Sequence, residues 1–119
     1  MGWFGASADE LRDLGKVCKP SIAAFKACLK ANALDKRACT NLESSALSCL
    51  SQQACLSQHK SFIQCIAKSH AEGTQEGRIR RYTEHSPCKK HSDAMRRCLR
   101  WKGIWPKVVD NVEPLRLNR

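Results

Sequence analysis

Eight cysteines constrain this chain more than anything else in it. Cys18, Cys28, Cys39, Cys49, Cys55, Cys65, Cys88 and Cys98 fall, in order, into four pairs, and nine residues separate the members of every pair. A wider repeat accompanies the spacing. The residue after each second cysteine is aliphatic (Leu29, Leu50, Ile66, Leu99), and the position three before it holds Phe25, Ala46, Phe62 or Met95. Phenylalanine fills that slot only in the first and third units, so the units group as two hairpins of two units each.

Each unit has the periodicity of an amphipathic helix, with apolar residues at Cys18, Ile22, Phe25, Cys28 and Leu29 in the first and at Cys55, Phe62, Ile63, Cys65 and Ile66 in the third. Start signals agree: Pro20 and Pro87 suit first-turn positions, Ser86 suits an N-cap, and Asp35 precedes the second unit. Asn32, Gly73 and Gly103 are read as left-handed helix stops. Ahead of the repeats, Ser7 and Glu10 form a capping box for a short helix that Gly15 is expected to end.

Two residues ten apart on a helix lie about 15 Å apart along its axis, so the thiols of one unit cannot reach each other. An antiparallel neighbour of equal spacing presents its cysteines at matching heights. That geometry reduces the roughly one hundred pairings open to eight cysteines to a nested set: Cys18 with Cys49, Cys28 with Cys39, Cys55 with Cys98, and Cys65 with Cys88. With only three Trp, three Phe and one Tyr the apolar core is small, and four bridges at about 3 kcal/mol each rival what such a core supplies. Structural zinc is the competing use of the thiols, but it requires ligands two to four residues apart. The segment His85-Ser-Pro-Cys88-Lys-Lys-His91 is the one local set, and its cysteine belongs to the repeat. No metal or cofactor is expected, and no nucleophile with a base, carboxylate pair or phosphate loop supports an enzyme.

Twenty-one Lys and Arg against eleven Asp and Glu give a net charge of +10 and favour an anionic partner. Between Arg78 and Lys102 nine basic residues face two acidic ones, with Tyr82, Trp101 and Trp105 interleaved. Arg78, Arg80, Arg81, Arg96, Arg97, Arg100, Trp101 and Trp105 are therefore the candidate partner-binding residues, suited to acidic protein, anionic lipid such as cardiolipin, or RNA. No stretch is apolar over the length needed to span a bilayer, and Met1 to Val17 has the features of neither a secretory signal nor a matrix presequence. Beyond Gly103 two prolines and scattered aliphatics predict an extended arm lying on a neighbouring subunit and dispensable for folding, and Trp3 and Phe4 suggest a similar grip at the other end.

Tandem C-x9-C units resemble the coiled-coil-helix-coiled-coil-helix family, over residues 18–98. The resemblance implies helical hairpins that are oxidised in the mitochondrial intermembrane space by an import relay, which docks at Phe25 beside Cys28 and at Phe62 beside Cys65. Two hairpins in one chain, the opening Cys18-Lys-Pro20 and the stretch Lys102-Gly103-Ile104-Trp105-Pro106 are similar to the family's quadruple C-x9-C accessory subunits of NADH:ubiquinone oxidoreductase (complex I). The loops of five and twenty-two residues between Cys49 and Cys55 and between Cys65 and Cys88 depart from that pattern. The expectation is an all-α chain of two tandem antiparallel hairpins, each stapled by two disulfides, with extended terminal arms. Residues 1–17 form an arm with a short helix, 18–50 the first hairpin, 55–99 the second with a basic interhelical loop over 71–86, and 103–119 the C-terminal arm. Functionally it implies a non-catalytic structural accessory subunit of a mitochondrial respiratory-chain complex, complex I foremost, that stabilises its intermembrane-space face and lies peripheral to the inner membrane. An rRNA-binding mitochondrial ribosomal protein, or a subunit or assembly factor of cytochrome c oxidase, are the alternatives.

Overall fold

The computed structural model describes residues 6–71 and 88–114, which are mostly helical, with no strand among them. Helix α1 (Ala8–Val17) opens on the expected capping box: the Ser7 hydroxyl accepts from the Glu10 amide, and the Glu10 carboxylate accepts from the Ser7 amide. Helix α2 (Lys19–Ala31) carries Pro20 in its first turn, where the missing N–H costs nothing. It ends at Asn32, which closes the helix differently from the expected left-handed stop. Its φ is −125°, and its side-chain amide donates to the Cys28 carbonyl. Asp35 caps a 3-10 turn (Lys36–Cys39) by accepting from the Arg37 amide, and α3 (Thr40–Ala54) runs back along α2. Helices α4 (Leu56–Ala71) and α5 (Lys89–Trp101) form the second hairpin. Residues 72–87 between them, Gly73, Ser86 and Pro87 included, lie outside the described residues, as do Trp3 and Phe4.

All eight cysteines are bridged in the nested pattern that equal helical spacing requires. The outer and inner Cα pairs are 5.8 and 5.8 Å apart in the first hairpin and 6.3 and 5.7 Å in the second, within the range an ordinary disulfide spans. Cys88 is bonded to Cys65, which removes its thiolate from the His85–His91 ligand set.

The slot three residues before each second cysteine points inward in every unit: Phe25, Ala46, Phe62 and Met95 are all buried. Leu50 and Leu99 are completely buried, while Leu29 and Ile66 are partly so. The hairpins share one core because α3 packs against both α4 and α5. At that seam the buried hydroxyls of Ser44 and Ser92 hydrogen-bond to each other at 3.1 Å, satisfying two polar groups that burial would otherwise penalise.

The C-terminal segment corrects the expectation of an extended arm over its described part. Gly103, at φ 75°, is the left-handed stop anticipated for it. Its amide donates to the Arg100 carbonyl and that of Ile104 to the Leu99 carbonyl, a Schellman closure. The chain thereby reverses onto the bundle. Ile104, Trp105, Val108, Val109 and Val112 are buried, around a short helix α6 (Lys107–Asp110), and the Lys26 ammonium donates to the Val112 carbonyl at 2.9 Å. These positions repeat at helical offsets, so the segment does carry a stripe. Pro106 sits at the helix N-cap and does not interrupt it. Gly15 likewise does not end α1. It is buried within the helix, and a Cβ there would lie 3.3 Å from a Val112 methyl, so its lack of a side chain admits the returning segment.

Candidate partner-binding surface

Helix α5 carries the described half of the basic block, and its packing sorts the candidate residues. Its buried face, Ser92, Met95 and Leu99, locks the helix against α3 and α4. Beside that face Asp93 accepts from Lys89 at 2.7 Å and from Arg96 at 2.8 Å, and Arg96 also donates to Glu43 on α3 at 3.0 Å. Burial pushes the Asp93 carboxyl up, but the hydrogen bonds and charges of Lys89 and Arg96 outweigh it and hold the group below its ordinary value. Arg96 is also partly desolvated, which works against its charge, yet Glu43 and Asp93 raise its pKa. Arg96 is thus the inter-helix tie of a two-carboxylate network, and its guanidinium is committed inside the molecule.

Arg97 and Arg100 are exposed and have no acidic partner among the described residues. Trp101 leaves 77% of its surface to solvent. Lys90, Arg97 and Trp101 stand seven and four residues apart, which places them on one outward stripe of α5, with Arg100 next to it. Trp and Arg are the residue types that most often dominate binding energy at interfaces, the ring by desolvated area and the guanidinium by forked hydrogen bonding to carboxylate or phosphate. An exposed indole beside two unpaired guanidinium groups can therefore hold an anionic partner.

Trp105 is corrected from partner-binding residue to core residue: it is 7% exposed and stacks on Phe25 with ring centroids 5.8 Å apart. The overlooked signal is apolar Ile104 directly after Gly103, the pairing that completes a Schellman closure and sends the chain back over its own helix. Phe25 and Phe62, expected at relay docking, are both buried in the folded chain. His59 on α4 is half-buried, and that burial lowers its pKa. Arg78, Arg80 and Arg81 lie outside the described residues. Among the described residues no cluster of three His, Cys, Asp or Glu could hold a metal, and no helix is long and apolar enough to cross a membrane.

Comparison of the chain with family models, curated proteins and solved structures returns no match.

Proposed function

We propose that the chain is a coiled-coil-helix-coiled-coil-helix protein acting as a non-catalytic structural subunit of a mitochondrial respiratory-chain complex, with complex I the first choice, on the intermembrane-space side of the inner membrane. The observation that carries the reading is the double nested disulfide ladder, in which every cysteine pairs at matching height across antiparallel helices. A chain that commits all eight thiols to bridges is suited to an oxidising compartment, and oxidative trapping is how this family is retained there. A relay that recognises Phe25 and Phe62 acts before folding, since the finished core buries both rings.

In this reading the protein works mechanically. The ladder makes a rigid body, and Arg97, Arg100 and Trp101 attach it to acidic subunits or to cardiolipin headgroups. The same exposed guanidinium groups and indole favour a second reading, rRNA binding in a mitochondrial ribosome. The deciding measurement is the assembly with which the protein comigrates on a native gel of solubilised mitochondria. Comigration with complex I is expected, and Arg97→Gln/Arg100→Gln/Trp101→Ala should reduce incorporation while leaving four disulfides in place. Comigration with a ribosomal subunit, lost in that variant, would replace the first reading by the second.

A further inference from the structure

A second surface, which basic-residue clustering does not reveal, lies where the returning C-terminal segment meets α1. The two leave a half-open groove of about 620 Å³ between them. Leu11, Gly15 and Val112 give it an apolar floor, and Arg12, Lys16 and Lys19 line one side, spaced four and three residues apart. Arg12 shares its charge with Asp9 on α1, whereas Lys16 and Lys19 are exposed and have no acidic partner among the described residues. Glu113 is the one acidic residue of the lining. Among the described residues α1 packs chiefly on the C-terminal segment and on α2.

We infer that this groove is a docking site for an acidic, amphipathic polypeptide segment of a partner protein. The cations are three separate side chains, two on successive turns of α1 and one at the start of α2, which matches several carboxylates along a segment better than a single headgroup phosphate. The apolar floor between them takes the aliphatic side chains of the same segment, as in helix-in-groove recognition. Residues 115–119 are a poor occupant: Leu115-Arg-Leu-Asn-Arg119 carries two arginines and no acidic side chain, the same sign as the groove wall. The inference does not depend on which assembly the chain joins.

The test uses the oxidised full-length chain and fluorescein-labelled peptides of about 14 residues, or roughly 20 Å of helix, with leucines at helical spacing and Glu, Gln or Lys elsewhere. The Glu peptide should bind saturably and at least about tenfold more tightly than the Gln peptide, with an affinity that falls as salt is raised. Lys16→Glu/Lys19→Glu should weaken it by at least about tenfold, while Arg37→Glu, a charge reversal at an exposed residue of neither surface, leaves it unchanged. Both lysines are exposed, and an unaltered circular dichroism spectrum checks that the variant folds. Equal binding of the Glu and Lys peptides, or indifference to the lysine substitutions, overturns the inference. So does binding of cardiolipin-containing vesicles through Lys16 and Lys19 without peptide binding, which would assign the groove to lipid. Peptide binding that appears only after deletion of Leu115–Arg119 would assign it to the chain's own end.

Discussion

At the scale of single residues, two tryptophans four apart in sequence have opposite roles. Trp105 closes the core over Phe25, and Trp101 stands in solvent. Trp105→Ala should cost about 3 to 5 kcal/mol through lost burial and the cavity left behind, whereas Trp101→Ala should stay within about 0.5 kcal/mol. Urea unfolding midpoints compare the two, and equal effects would contradict the packing described. Acid should weaken the fold through two groups. Asp93 has a folded pKa below its unfolded value, so its stabilisation is present above about pH 4 and is lost as pH falls through the folded value. His59 is also depressed, by burial, so the folded state disfavours its protonation and stability starts to fall below about pH 6.5. The expected result is an unfolding midpoint that declines in two stages on acidification. His59→Gln should remove the upper stage and Asp93→Asn the lower.

At the scale of elements, α1 and α6 depend on each other through one missing side chain. Gly15 lets Val112 approach to a distance that even a methyl group would crowd. Gly15→Leu gains helix propensity of nearly 1 kcal/mol but must expel Val112 and Val108 from the helix surface, an overpacking cost of about 1 to 3 kcal/mol or more. The net effect should be detachment of the C-terminal segment, read as a red shift and stronger quenching of Trp105 emission in a Trp3→Phe/Trp101→Phe background. An unshifted spectrum would show that the segment is held by contacts other than those at Gly15.

At the scale of the whole molecule, the disulfide ladder and the returning segment stabilise the fold in different ways. The bridges restrict the unfolded chain, while Ile104, Trp105, Val108, Val109 and Val112 add buried apolar area to the native state. At about 2 kcal/mol per buried side chain those five residues contribute on the order of 10 kcal/mol before ordering costs, comparable to the net stability of a domain this size. Truncation after Gly103 should therefore leave four disulfides able to form but abolish the cooperative thermal transition and raise binding of a hydrophobic dye. A truncated chain with an unchanged melting temperature would restore the view of the segment as a detachable arm.

The sequence alone determined helices α1 to α5, their grouping into hairpins and the pairing of all eight cysteines. It could do so because each rests on short-range periodicity: ten residues on a helix have one length, and antiparallel neighbours of equal spacing match at only one set of heights. The capping box at Ser7 and the stop at Gly103 were legible for the same reason, being complete within a few residues. What the tertiary structure decided was which exposed-looking residues are spoken for. Arg96 and Arg97 are adjacent and chemically identical, but only one meets Glu43, a residue more than fifty positions away on another helix. Trp105 reads as a free aromatic until Gly103 reverses the chain and lays it on Phe25, and Gly15 reads as a stop until Val112 arrives against it. Such assignments depend on contacts between segments distant in sequence, which local patterns do not encode and which only the packed molecule supplies.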